Sequence, residues 1–153
     1  VAGIDDNTVS FIATHRVARF ATAGSGGQPL VIPICYVFDG RAFYSALDEK
    51  PKRVEADRLR RVRNIRENPM AALVIDDYSE DWSQLSYVLV NGHADILQPG
   101  NDEHRRAVEL LREKYEQYRS MAIEQNPLIR LIPVTIKHWR SSSIPEVGPK
   151  ANP

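Results

Sequence analysis

One cysteine, Cys35, is all the thiol chemistry that the 153-residue chain carries. A lone cysteine excludes an internal disulfide and is too little for a structural zinc site, in keeping with a reducing compartment. Net charge is missing as well. Twenty Lys and Arg stand against 20 Asp and Glu, so the molecule exerts no long-range pull on nucleic acid or anionic lipid, and any anion site has to be local. No apolar run approaches the about 20 residues that span a bilayer, and the first ten residues lack the basic-then-apolar order of a signal peptide; no membrane association and a cytoplasmic location are the expectations. The histidines, His15, His93, His104 and His138, show no close ligand spacing, which argues against a metal centre.

What the chain does contain is the balance of a folded protein, 42% hydrophobic and 26% charged residues, in the length of one ordinary domain. That domain is expected over residues 1–140, with an irregular Ser-, Pro- and Gly-bearing tail over 141–153. A short helix, Thr8 to Ala13, capped by Asn7 or Thr8, precedes a strand over Val17 to Ala23. The turn Gly24-Ser25-Gly26-Gly27 leads to a second strand, Leu30 to Phe38, and Asp39-Gly40 to a third, Ala42 to Leu47. Pro33 cannot donate to a ladder, so the second strand belongs at an edge or is bulged there.

Leu59, Val62 and Ile65 recur among five arginines and predict an amphipathic basic helix over Val54 to Glu67, stopped by Asn68-Pro69. Strands follow at Ala71 to Ile75 and Ser86 to Leu97, on either side of a polar loop, Asp76 to Gln84. A long helix carries Val108, Leu111, Tyr115, Tyr118 and Ala122 on one face, and a last strand spans Leu128 to Trp139. Six strands joined by tight turns on so short a chain predict a mainly β fold, an antiparallel barrel with helices plugging its ends.

Seven cations, Lys50, Lys52, Arg53, Arg58, Arg60, Arg61 and Arg63, fall within fourteen positions. By pattern alone they form either a solvated face neutralised by Glu49, Glu55 and Asp57 or a site for an external anion. Arginine offers a planar fork for phosphate or carboxylate, and lysine adds a point charge. Cys35, alone in an apolar strand, reads as inert core rather than as a nucleophile.

Taken as one unit, FATAGSGGQPLVIPICYVFDGRAFYSALDEK, RLRRVRNIRENPMAALVIDDY and LSYVLVNGHADIL resemble the pyridoxamine 5′-phosphate oxidase-like superfamily, and within it the coenzyme F420-dependent branch. The resemblance implies a six-stranded split β-barrel of the FMN-binding type, working as a homodimer with the cofactor at the subunit interface. In that family a basic pair ahead of an Asn-Pro dipeptide grips the cofactor phosphate. Arg60-Arg61 stands at that spacing from Asn68-Pro69, and Asn64 matches an asparagine near the cofactor. Lys50-Pro51-Lys52-Arg53 looks like an insertion whose cations would meet the larger cofactor's extra phosphodiester or its glutamate tail, and Arg58 is a further cofactor-binding candidate. The ring edge is implied to lie against the backbone of Pro33, Ile34 and Cys35 and of Tyr44, Ser45 and Ala46.

Trp82 is a candidate to cover the cofactor from the neighbouring subunit, and Tyr87 a further aromatic contact, whereas Trp139 is assigned to the last strand and the interface. The function implied is hydride transfer from reduced coenzyme F420 to a small unsaturated or quinone-like acceptor, with no catalytic residue singled out. The alternatives are an FMN-dependent oxidoreductase of the pyridoxamine 5′-phosphate oxidase type and a non-enzymatic carrier of flavin, F420 or haem. A nucleic-acid-binding barrel is disfavoured by the neutral charge and the lack of an ordered aromatic platform.

Overall fold

A computed structural model describes residues 3–47 and 59–142. In chain order these form α1 (Asp6–Thr14), β1 (Ala18–Ala23), β2 (Pro29–Ile34), β3 (Val37–Phe38), β4 (Phe43–Ala46), α2 (Arg60–Glu67), β5 (Met70–Asp77), β6 (Ser86–Leu97), α3 (Asp102–Lys114) and β7 (Leu128–Arg140). Short 3-10 turns lie at Trp82–Gln84, Glu116–Ser120 and Ile123–Gln125. Lys50, Lys52, Arg53 and Arg58, the expected helix start at Val54, and the tail from residue 143 fall outside the described residues.

All strand pairs are antiparallel, in the order β2-β1-β5-β6-β7-β4-β3. The two edge strands are consecutive in sequence. Ile34 ends β2 and Val37 begins β3, a step of three residues that spans at most about 11 Å. A sheet whose edges are held that close has to curl into a barrel, and the barrel is split because β2 and β3 do not pair.

The sheet thus has seven strands where six are expected, because the run Leu30 to Phe38 is cut at Cys35-Tyr36. β2 pairs with β1 at one end of the sheet and β3 with β4 at the other, so the chain changes partner there and the ladder must break. Pro33 lies on an edge strand, where its missing N–H is tolerated. At the next hairpin Gly40 takes φ +91°, and Asp39 Oδ1 accepts from the Arg41 and Ala42 amides at 2.8 Å each.

Two helix ends also differ from expectation. The cap of α1 is Asp5, whose carboxylate accepts from the Thr8 amide at 2.7 Å, and not Asn7 or Thr8. The long helix stops at Lys114, and Tyr115 is extended, because its side chain turns inward to bond backbone near Tyr36. Tyr118 therefore follows on a 3-10 turn and not on the α3 face.

The barrel interior holds Phe20, Tyr36, Phe43, Leu73, Ile75, Val88, Val90 and Leu131, closed by Ile12 of α1 and Val62 and Ile65 of α2. Each such aliphatic side chain contributes about 2 kcal/mol by leaving water. A second cluster forms where α3 lays Ala107, Val108 and Leu111 against Tyr44, Ala46, Leu97 and Leu128. Every residue of β4 is consequently buried. A bulge between β6 and β7 lies at Asn91-Gly92, where an added Cβ on Gly92 would meet the Ile132 carbonyl at 2.2 Å. Only glycine fits that crossing.

Candidate functional site

The split between the edge strands opens a cleft. Pro33, Ile34 and Cys35 from the end of β2, Ser45 and Ala46 around the end of β4, and Arg61 from the first turn of α2 meet around a cavity of about 340 Å³. Six of the residues expected at a cofactor site, drawn from three separate elements, thus surround one space. Val17, Ile32 and Tyr118 also line it. The periodicity of the long helix hid Tyr118, which reads in sequence as one more apolar helix position.

The donors come from two sources. As an edge strand, β2 pairs only with β1 among the described residues, so alternate backbone groups on its other side face away from any described strand. At the opposite wall α2 starts at Arg60 with Leu59 in the cap position and no side-chain cap. Its first-turn N–H groups and the positive end of its dipole lie at the same helix end as Arg61. Arg60 itself is exposed. The packing explains the pose of the helix: Val62 and Ile65 are buried beneath it, Asn64 donates to Thr22 Oγ1 at 3.1 Å, and Glu67 accepts from the Ser25 amide at 2.8 Å. Asn64 is thereby directed at β1, beneath the helix, and does not line the cleft.

A second, larger cavity of about 620 Å³ lies between the β3–β4 turn, α3 and β7. Tyr44 faces this one, because consecutive strand residues point to opposite faces. Its hydroxyl contacts Glu103 at 2.8 Å and Asp39 at 3.1 Å. Burial, and then these carboxylates, push the phenol far above its ordinary range. Burial works to raise the Glu103 carboxyl, but bonds from Arg130 and Tyr44 outweigh it and hold the group below its usual value. Arg130 also forms a two-pronged pair with Asp95 at 2.9 and 2.6 Å.

The aromatic candidates lie elsewhere. Trp82 is 69% exposed on its 3-10 turn, and Tyr87 stacks on Trp139 across β6 and β7 with centroids 5.3 Å apart. Neither borders the cleft within the subunit. None of the four histidines lines it: His15 pairs with Asp77, His138 bonds Thr8 and Ser86, His104 bonds the Asn126 carbonyl, and His93 is exposed on β6.

Fold and cleft together define a split antiparallel barrel with a ligand-sized opening at the break between its edge strands. The chain belongs to the pyridoxamine 5′-phosphate oxidase family, whose model matches residues 4–143. The fold is shared with a conserved hypothetical protein of Mycobacterium tuberculosis at 18% identity and TM-score 0.72, covering 92% of this chain and 87% of that one. It is also shared with the haem storage protein HutZ of Vibrio cholerae, at 13% identity and TM-score 0.66 over 86% and 89% of the two chains. An F420 reductase is similar at 18% identity and TM-score 0.62, over 88% of this chain and 98% of its own. No curated protein is significantly similar to the chain. Among the described residues no helix is long and apolar enough to cross a membrane.

Proposed function

We propose that the chain is an oxidoreductase that holds coenzyme F420 in the cleft at the barrel split and serves a small unsaturated or quinone-like acceptor. The observation that supports it is the convergence of the β2 edge, the small residues Ser45 and Ala46, and Arg61 on one cavity. The residues suit the group. Arg61 and the uncapped start of α2 hold a phosphate. The backbone of residues 32–35 offers a planar ring its hydrogen-bonding edge, and Val17, Ile32 and Ile34 keep water from its face. When bound, the reduced deazaflavin supplies the hydride. The protein's own work is anchoring, orientation and exclusion of water.

The family relationship and the fold shared with an F420 reductase support this reading. FMN, with its phosphate and planar ring, suits the same donors. Haem is disfavoured here, since among the described residues no histidine borders the cleft and Cys35 is the one soft ligand in its wall.

A cavity of about 340 Å³ is at the small end for a ligand of this size, and a second copy of the chain supplies the remaining cover. The outer face of the sheet suits that role. Val31, Met70, Ile132 and Val134 are 45–68% exposed on it, with Met70, His93 and Ile132 adjacent across three strands. Light scattering should report twice the chain mass.

The test is titration of the protein with F420, FMN and haem in turn, with an Arg60→Ala/Arg61→Ala double variant alongside. F420 binding that weakens at least about thirtyfold in the variant is the expected result, the cost of losing the charge-assisted contact of Arg61. Binding of FMN alone keeps the site and changes the cofactor. Binding of none, or binding indifferent to the two arginines, overturns the proposal.

A further inference from the structure

The barrel is split at Cys35-Tyr36, yet Tyr36 is fully buried there, and a buried backbone amide without a partner is costly. The partner comes from 79 residues away. The Tyr36 N–H donates to the Tyr115 hydroxyl at 2.9 Å, and that hydroxyl lies 2.9 Å from the Tyr36 carbonyl and 2.8 Å from the Arg16 carbonyl, either of which accepts its proton. Arg16 returns the contact, its guanidinium donating to the Lys114 carbonyl at the end of α3. Lys114 Nζ lies 3.9 Å from the centre of the Tyr36 ring, and the Tyr36 hydroxyl donates to the Ile12 carbonyl of α1 at 2.7 Å.

These ties matter for what adjoins them. Arg16 precedes Val17 and Tyr36 follows Cys35, and Val17 and Cys35 both line the cleft. The Tyr115 ring meets Tyr118 edge-on with centroids 5.6 Å apart, and Tyr118 lines the cleft as well. One side chain that does not itself border the cavity therefore touches the supports of three of its walls. A strand edge left by a broken ladder would otherwise be free to shift, and a binding edge has to hold its geometry to within a fraction of an ångström. Burial pushes the Tyr115 phenol up to about 12, so it keeps its proton and remains a donor at neutral pH.

We propose that Tyr115 is the positioning residue of the cleft: through its hydroxyl and ring it fixes the backbone of residues 16–17 and 35–36, and the Tyr118 side chain, in the arrangement that receives the cofactor ring. The proposal rests on the reading of this cleft as a cofactor site. Tyr115 acts through its neighbours and makes no contact with the reacting atoms.

Tyr115→Phe is the test, since it keeps the ring packing and removes the hydroxyl. Two readouts are needed. Amide hydrogen exchange requires no cofactor: in the native protein the Tyr36 amide should exchange as slowly as a strand interior although it lies at a ladder break, and in the variant about tenfold faster, the factor for one lost hydrogen bond. Fluorescence titration with F420 and with FMN should show about tenfold weaker binding in the variant, and the absorption spectrum of the bound cofactor should shift, while the melting temperature falls by only about 2–4 °C and the variant stays folded.

Fast exchange of the Tyr36 amide in the native protein overturns the tie itself. Faster exchange in the variant with unchanged affinity and spectrum leaves Tyr115 as a structural residue only and overturns its positioning role. A native protein that takes up neither cofactor overturns the cofactor reading, and the role of Tyr115 with it, whatever the exchange shows. Protein that binds equally well with and without the hydroxyl sinks the positioning role alone.

Discussion

The two cavities on either side of β4 differ in how their charges are used. In the larger, the charged groups largely satisfy one another: Arg130 spans Glu103 and Asp95, and Tyr44 sits between Asp39 and Glu103. Its polar groups hold α3 and the β3–β4 turn to β7. In the smaller, the donors arise from interruptions of regular structure, a strand edge that changes partner and a helix start without a side-chain cap. A large space lined with mutually bonded charges is a buttress. A smaller one bordered by the outer edge of a strand and by a helix start is the better binding site, whatever their relative volumes.

That contrast can be broken most directly at the arginines. Arg61→Ala should weaken F420 or FMN binding about thirtyfold, the effect of one charge-assisted contact, whereas Arg106→Ala in the larger cavity should leave affinity within about twofold; calorimetric titration of both variants would show it. Tyr44→Phe should reverse the pattern. Its Asp39 and Glu103 partners keep the Arg41 and Ala42 amides and Arg130, so a stability loss of about 1 kcal/mol is expected in urea unfolding, with cofactor affinity unchanged.

The smallest effect lies outside both cavities. Burial, and then the Arg140 charge, lower the His138 pKa below its ordinary 6.5, so the folded protein keeps this ring neutral while the unfolded chain takes up the proton. Stability from this group is present above about pH 6.5 and is lost as pH falls below it. Urea midpoints at about pH 5.5 and 7.5 should differ less in His138→Gln than in the native protein.

Much of this was legible in the sequence, for reasons that apply residue by residue. The hairpin at Asp39-Gly40 announces itself because Gly40 takes a positive φ and Asp39 caps the turn. The α2 register shows in the spacing of Leu59, Val62 and Ile65, and Pro33 marks an edge strand. The break at Cys35-Tyr36 left no local sign, since no glycine or proline stands there, its cause is the change of strand partner from β1 to β4, and the hydroxyl that satisfies the freed amide is 79 residues away. The same contact ended α3 at Lys114 against the apolar periodicity. Assigning Tyr44, Ser45 and Ala46 alike to the cleft by their backbone did not separate the side chains: alternation turns the Tyr44 phenol away from Ser45 and into the other cavity, while Ala46, on the Tyr44 face, borders the cleft at the strand's end. Asn64 and the exposed Trp82 and Tyr87 were placed by family likeness, and within one subunit none of them borders the cleft.

The central claim, that the smaller cavity receives the cofactor, is tested most directly by following backbone amide NMR shifts as F420, and separately FMN, is added to the native protein. The account predicts the largest shifts at Ile32, Ile34, Cys35, Ser45, Ala46, Arg61 and Tyr118. Shifts concentrated instead at Arg41, Arg106, Leu110 and Ile132 would place the ligand in the larger cavity and contradict it.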